Sequence, residues 1–396
     1  LLLSKTLLRL DLSYCMGFPE IILVDDHHHD VQLETVRVEF CDGLFRVIFK
    51  NCTRLQSFTF RYNRDCTELR VEDCPSLTVL CIESESPESD DIAKFENLKH
   101  FTLQRGKLLA PQELDGDRPF FAKTLVILDL SNCSVPEIVL VGYDHLEWVK
   151  IWECKELPRM AFKSCGRLQS LESYWNSECT ELCVENCPSL QSLYIYSNDE
   201  RSPTCTIENC PLIDELIAVR CSIESGEIVD LQNLKKLHLQ GIDTLDVSHL
   251  VMNLASGPHL IELRIHGGLR RRNKSSPEKL VVDFPLLQNL WLIDVCLPTS
   301  MVLNCPALKT LEITAHEHDN PFTKMQDLDV SMCNDLTEFC LSSECIESVS
   351  LDWLIDLVER NPLITYLGDG RGPETAPYLK SSGRDEFFER YPRFCA

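Results

Sequence analysis

Leu44-x-x-Val47-x-Phe49-x-x-Cys52 is followed without a break by Leu55-x-x-Phe58-x-Phe60-x-x-Asn63, Cys66-x-x-Leu69-x-Val71-x-x-Cys74 and Leu77-x-x-Leu80-x-Ile82-x-x-Glu85. Every eleven residues the chain repeats one nine-position phrase, apolar at positions one, four and six and usually cysteine or asparagine at nine. Apolar positions four and six are flanked by mostly polar ones, which is the period of a strand and not of a helix. A phrase this short supplies one strand's worth of inward side chains and cannot close a core alone. Phrases must stack on their neighbours to bury those side chains, which makes a solenoid.

The ninth position holds twelve of the 21 cysteines: Cys15, Cys41, Cys52, Cys74, Cys133, Cys154, Cys165, Cys187, Cys210, Cys221, Cys305 and Cys333. Asn63, Asn176 and Asn198 take the same slot. A residue that turns the chain out of a strand into a buried bend must be small and able to hydrogen-bond locally, and both types qualify. Unpaired buried thiols suit a reducing compartment, so the expected location is cytoplasmic, with the nucleus as an alternative. Sequons at Asn51, Asn132 and Asn273 keep secretion open, although the first two contain a ninth-slot cysteine.

Leu7-x-x-Leu10-x-Leu12-x-x-Cys15, Leu125-x-x-Leu128-x-Leu130-x-x-Cys133 and Met325-x-x-Leu328-x-Val330-x-x-Cys333 resemble the strand-forming segment of leucine-rich repeat proteins. The resemblance covers roughly residues 5–351. It departs from common members because the convex half of each repeat often carries the phrase again, as in Leu157-x-x-Met160-x-Phe162-x-x-Cys165. The chain therefore resembles a short nested subtype of about 22 residues per turn. The fold this implies is a β-rich repeat solenoid of stacked parallel strands, with a strand-bearing or irregular convex side and a C-terminal cap.

A larger repeat lies above the small one. Cys66-Thr-Glu-Leu-Arg-Val-Glu-Asp-Cys-Pro-Ser-Leu77 recurs as Cys179-Thr-Glu-Leu-Cys-Val-Glu-Asn-Cys-Pro-Ser-Leu190, and Leu10-Asp-Leu-Ser-Tyr-Cys15 as Leu128-Asp-Leu-Ser-Asn-Cys133. We read residues 1–351 as the solenoid, with a block of about 7–124 duplicated at 125–240 and further repeats to 351. Asp352–Arg360 suits a short helix, and residues 352–396 are read as the cap. Leu1-Leu2-Leu3 lacks an initiator methionine and a basic flank, so it is read as the interior of a longer protein and not as a signal peptide.

Charge narrows the partner. At pH 7 the formal net charge is −24 and the pI is near 4.8, a field that repels phosphate backbones and anionic lipid. No run is long and apolar enough for a membrane-spanning helix. Nucleic acid, membrane and small-molecule substrates are not expected; a protein with a basic patch is.

Side chains alternate along a strand, so positions three, five and seven face outward. The phrases ending at Cys154, Asn176 and Asn198 then display Trp148, Lys150, Trp152, Glu172, Tyr174, Tyr194 and Tyr196, and the matching first-copy phrases display Arg37, Glu39 and Arg61. Trp152, Tyr174 and Tyr196 share position seven on successive turns and should form a ladder at the strand spacing of about 4.8 Å. Exposed Trp and Tyr beside Lys or Arg are the usual anchors of protein interfaces. This set is the candidate binding face. Its structural alternative is an aromatic ladder that merely stabilises the sheet.

Sites for chemistry are weaker. His27-His28-His29, between Asp25-Asp26 and Asp30, could ligate a metal, but adjacent histidines seldom reach one ion with good geometry, and a solvated loop is the simpler reading. Cys179, Cys183 and Cys187 fall in separate layers of a strand, with Cys183 directed outward. No phosphate-binding glycine loop or nucleophile–base context appears, so no cofactor or catalysis is expected. The basic run Arg270–Lys274, beside Ser275-Ser276-Pro277, reads as a charged surface loop. The family resemblance implies a protein-recognition scaffold. It leaves open the substrate receptor of an F-box ubiquitin ligase, the sensor of an intracellular immune receptor, or a secreted or surface recognition protein.

Overall fold

The computed structural model describes residues 7–25, 32–83, 97–105, 121–198, 203–223, 231–242, 259–267, 279–295, 298–314, 325–342, 351–368, 387 and 389–391. Each phrase becomes one strand and one bend. In the phrase from Leu146, the inward side chains Leu146, Val149 and Ile151 are fully buried, while Trp148, Lys150 and Trp152 are outward and half-buried. Phe49, Phe58 and Phe60 fill the same inward positions and pack on one another, Phe49 edge-on to Phe58 at 5.2 Å between ring centroids.

The bend is built from three linked devices. Position eight takes left-handed backbone: φ is +57° at Asn51, +51° at Asp73, +56° at Asn132, +54° at Asn186 and +54° at Asn209. Its N–H still donates to the position-seven carbonyl of the following turn, as in Asn132 to Trp152 (2.7 Å), Ser164 to Glu185 (2.9 Å) and Asn186 to Glu208 (2.9 Å). Position nine then reaches back to the position-six carbonyl of the preceding turn. Cys133 Sγ donates to Leu103 O (3.2 Å), Cys165 to Leu140 O (3.7 Å) and Cys187 to Phe162 O (3.6 Å). Where the slot is asparagine, Nδ2 makes the same bond, Asn63 to Val38 O (2.9 Å) and Asn176 to Ile151 O (3.0 Å). Asparagine also accepts from the backbone of the preceding turn, Cys41 N to Asn63 Oδ1 and Cys154 N to Asn176 Oδ1, both 2.8 Å. Finally the position-nine carbonyl accepts from the N–H three residues on, closing a β-turn, as in Leu77 to Cys74, Leu190 to Cys187 and Leu308 to Cys305. Pro75, Pro188 and Pro306 occupy the second residue of those turns, where a fixed φ fits and no N–H is needed.

The described chain divides into two units, Leu1–Cys210 and Pro211–Ala396. In the first, the long sheet runs in the order β1 (Arg9–Asp11), β3 (Thr35–Glu39), β5 (Ser57–Arg61), β7 (Val79–Glu83), β8 (His100–Gln104), β9 (Ile127–Ser131), β11 (Trp148–Trp152), β13 (Ser170–Tyr174) and β15 (Ser192–Tyr196), with parallel pairing throughout. Among the described residues, the opposite side carries two separate ladders. It consists of β2 (Glu20–Val24), β4 (Arg46–Lys50) and β6 (Glu68–Glu72), and separately of β10 (Ile138–Val141), β12 (Arg159–Lys163), β14 (Glu181–Glu185) and β16 (Thr204–Glu208). Alternate phrases thus occupy opposite sides of the core, in one long ladder and, among the described residues, two shorter ones.

In the second unit, β17 (Glu215–Val219), β19 (Lys236–Gln240), β20 (Glu262–His266), β22 (Asn289–Ile293), β24 (Thr310–Thr314), β26 (Glu338–Leu341) and β27 (Tyr366–Gly368) form the long ladder, in parallel. β18 (Ser222–Ile223) is a two-residue strand, and β21 (Lys279–Val282), β23 (Ser300–Leu303) and β25 (Asp327–Asp329) form the other side. Between β26 and β27 the helix Leu351–Arg360 buries Leu354, Leu357 and Val358, which lie at helical spacing on one face. Trp353 donates to Leu328 O at 3.3 Å and packs against Phe339 at 6.0 Å between ring centroids. The strand ladder therefore continues past residue 351, with a rung at Tyr366–Gly368 that the phrase does not mark.

All cysteines among the described residues are free thiols, and nearly all are buried. Burial pushes the thiols of Cys66, Cys179 and Cys305 up to about 11 and that of Cys333 up to about 12. Above the ordinary thiol value near 9 the unfolded chain loses these protons while the fold keeps them, so stability falls as pH rises through 9 to 11. Each such thiol contributes a slope of about 1.4 kcal/mol per pH unit in that window. Urea midpoints between pH 8 and pH 10.5 should fall steadily; a flat profile would mean that the thiols are solvated. A second expectation concerns position nine. Asn176→Ala removes the partners of Ile151 O and Cys154 N together and should cost about 2–4 kcal/mol in urea unfolding. Asn176→Cys, which keeps a donor, should cost less, and equal losses in the two variants would argue against the donor role.

Candidate functional site

On the long sheet of the first unit, strand register places the predicted residues in rows. Position seven reads Ser131, Trp152, Tyr174, Tyr196 and position five reads Asp129, Lys150, Glu172, Tyr194 across β9, β11, β13 and β15. Ring centroids are 6.2 Å apart for Trp152–Tyr174, tilted by 52°, and 4.9 Å for Tyr174–Tyr196, stacked at 23°. Lys150 Nζ sits 4.9 Å from the Trp152 ring centre, a cation–π contact, and Trp148 Nε1 donates to Glu172 at 3.3 Å. The Trp152 indole N–H is buried without a hydrogen-bond partner. Burial raises the Asp129 carboxyl above its usual range, against a hydrogen bond from Ser131 that lowers it. The seven residues from Trp148 to Tyr196 form one contiguous half-buried patch of rings and alternating charge.

Arg37 and Arg61 lie on the same face but elsewhere. Arg37, on β3, is five strand spacings from β11, roughly 24 Å. Its guanidinium pairs with Glu39 at 3.1 Å. Arg61, on β5, directs Nε and Nη2 to Cys81 Sγ at 3.2 and 3.1 Å. Neither joins the Trp–Tyr patch. His27, His28, His29 and the Arg270–Lys274 run fall outside the described residues. Among those described, no three His, Cys, Asp or Glu side chains come together to hold a metal, and no helix is long and apolar enough to cross a membrane.

The opposite side is chemically different. Its outer charges pair across adjacent strands: Arg46–Glu68 at 2.7 Å and Lys50–Glu72 at 2.8 Å, then Arg159–Glu181 at 3.3 Å and Lys163–Glu185 at 2.8 Å. The same pairs recur in both blocks. Such exposed pairs add little stability individually, but they leave the side self-satisfied. Cys183 needs a correction: it stands at an outward position, as alternation requires, yet is only 4% exposed. It sits between Ala161 and Thr206 and donates to Glu185, the carboxylate that also holds Lys163.

One cluster escapes a reading based on inward and outward alternation. Position eight is Asn, Asp or Gly in several phrases and Arg105, Glu153, Ser164 or Arg220 in others, but holds an aromatic ring at Tyr14 (φ +59°), Phe40 (φ +54°), Tyr62 (φ +56°) and Trp175 (φ +55°). A bulky residue in left-handed backbone costs on the order of 1–2 kcal/mol. The first three rings stack, Tyr14 on Phe40 at 4.9 Å and 5° and Phe40 on Tyr62 at 4.5 Å and 20°. Trp175 instead meets Trp152 edge-on at 5.5 Å and enlarges the predicted patch. The signal was present in the sequence as aromatic residues in a slot that elsewhere holds mostly polar residues or glycine.

No family model matches the sequence, and no curated protein matches it. Among solved structures, the chain is similar to a leucine-rich repeat protein of Leptospira interrogans, LIC12759, at 15% identity and a TM-score of 0.36, covering 90% of this chain and 94% of that one. It is also similar to the plant peptide hormone receptor RGFR1, solved in complex with RGF2, at 11% identity and a TM-score of 0.33, covering 85% of this chain and 70% of that one. The parallel ladders and the period of about 22 residues agree with the β-rich repeat solenoid expected from the sequence.

Proposed function

We propose that this protein is a non-catalytic recognition scaffold that binds a protein partner through the outer face of its long sheet. The observation that carries the proposal is the row Trp152–Tyr174–Tyr196 with Trp175 beside it and Lys150 over the indole. Aromatic rings held by neighbouring strands lose little freedom on binding, which is where preorganised interfaces gain affinity. With a net charge of −24, the favoured partner carries a basic patch and associates in a salt-dependent way. The buried free thiols suit a cytoplasmic setting, or alternatively a nuclear one. In this reading residues 1–351 are a solenoid grown by duplication of about 7–124 into 125–240, and residues 352–396 form its cap.

Affinity capture from source-cell lysate, comparing wild type with Trp152→Ala/Tyr174→Ala/Tyr196→Ala, tests the proposal. A partner present with wild type should be lost with the variant, with the native circular dichroism spectrum retained. Its capture should weaken between low and physiological salt. Identical captured sets, with the variant folded, would return the ladder to a structural role.

A further inference from the structure

We propose, resting on the recognition face described above, that its anchor is an arginine side chain of the partner, with the guanidinium laid on the Trp175 indole and paired with Glu153. β11 and β13 supply the parts. Glu153 and Trp175 hold position eight on successive turns, where Glu153 N donates to Tyr174 O (2.8 Å) and Trp175 N to Tyr196 O (2.6 Å). Carboxylate-bearing residue and indole thus stand one strand spacing apart, about 4.8 Å. Trp175 is 42% exposed and meets Trp152 edge-on at 5.5 Å, so it keeps open surface that the stacked tyrosines lack. On the same two strands Lys150 lies in register with Glu172 and Trp152 with Tyr174. A second carboxylate, at position five, therefore borders the ring cluster on the side away from Glu153.

Charge and shape select the occupant. On the opposite side of the core, Glu68, Glu72, Glu181 and Glu185 each pair with an arginine or lysine of the adjacent strand. Among the described residues, Glu153 and Glu172 enter no ion pair, and Glu172 accepts a hydrogen bond from Trp148 Nε1. Across β9, β11 and β13, positions five and eight hold three carboxylates (Asp129, Glu153 and Glu172) against one ammonium, Lys150. That ammonium lies on the Trp152 ring, and Arg264, in register with Trp291, lies 6.0 Å from the centre of that ring. Outward indoles of the long ladder thus already accept cations from their own chain, whereas Trp175 carries none among the described residues. A guanidinium is planar, stacks on an indole and still offers its edge N–H groups to a carboxylate beside the ring. A lysine ammonium is a more strongly hydrated point charge and gains less from the same pair of groups.

The test is fluorescence anisotropy at physiological ionic strength with a labelled Gly-Ser peptide carrying three arginines. The controls are the same peptide with lysine, or with uncharged citrulline, in their place. Wild type should bind the arginine peptide saturably, with a Kd on the order of 10–500 μM, and the citrulline peptide not at all. The lysine peptide should bind at least about threefold more weakly. Glu153→Gln and Trp175→Asn should each weaken arginine binding at least about threefold. Asparagine suits the left-handed slot, as at Asn132, and Glu153→Gln keeps the shape of the side chain should Trp175→Asn fail to fold. Glu208→Gln, which removes the same charge from an exposed position on the opposite side, should bind as wild type does. No saturable binding up to about 1 mM, lysine binding as tight as arginine, unchanged binding by folded Glu153→Gln, or an equal loss in Glu208→Gln would overturn the proposal. The lysate capture separates this from the reading it rests on. A partner lost with Trp152→Ala/Tyr174→Ala/Tyr196→Ala but fully retained by Glu153→Gln and Trp175→Asn would remove the arginine anchor and leave the recognition face standing. Identical capture by all three folded variants would remove both.

Discussion

A solenoid with an eleven-residue half-turn must leave each strand after five residues without abandoning the hydrogen bonds that join the turns. That constraint organises the molecule. The left-handed residue at position eight turns the chain while its N–H still reaches the next turn, and position nine supplies a donor to the carbonyl that the departing strand leaves behind. A cysteine thiol makes this bond weakly and compactly. Asparagine makes it strongly and adds an acceptor for the preceding turn. With the bend fixed in length, each strand stacks on its neighbour in unbroken register, and every side chain faces its counterpart one turn away.

Register in turn decides what the surface can be. Rows of like positions run along each ladder at the strand spacing, so one substitution pattern repeated over three turns makes a patch. On the short ladders, Lys50–Glu72 and Lys163–Glu185 turn that repetition into lateral ion pairs and a closed surface. On the long ladder, the second block places a row of rings at position seven, with Trp175 beside it at position eight, and the first block places its row at position eight. The former rest on the sheet. The latter stand on the bend, where the backbone itself resists them.

Much of this was legible in the sequence because inward burial and position nine both carry strong residue preferences. The phrase from Leu146 predicts which side chains are buried, and Cys or Asn at nine predicts a local hydrogen-bonding role. The direction of that bond, across to Leu140 O or Ile151 O of the preceding turn, needs coordinates, since nothing in an eleven-residue phrase names its neighbour. Position eight was not legible, because residues as different as Asn51, Glu153, Ser164 and Tyr62 take the same left-handed backbone there. Arg37 and Arg61 share a phase with Trp148 and Trp152 but lie several turns away, and phase alone carries no distance along the ladder. Cys183 shows a similar limit: alternation gives its direction, while its burial depends on the ion pair beside it. The rung at Tyr366–Gly368 lacks the phrase and follows the helix Leu351–Arg360, so only its pairing with β26 reveals it.

Native-state hydrogen exchange at the position-eight amides tests the account most directly. Asn132, Ser164 and Asn186 are exposed bend residues, yet their N–H groups bond to Trp152 O, Glu185 O and Glu208 O. Their exchange should be slow, comparable with that of the strand amides, and such protected bend amides should recur every eleven residues. Exchange at the rate of ordinary surface loops would mean that the ladder ends with the strand, and the mechanism that holds the turns in register would fail.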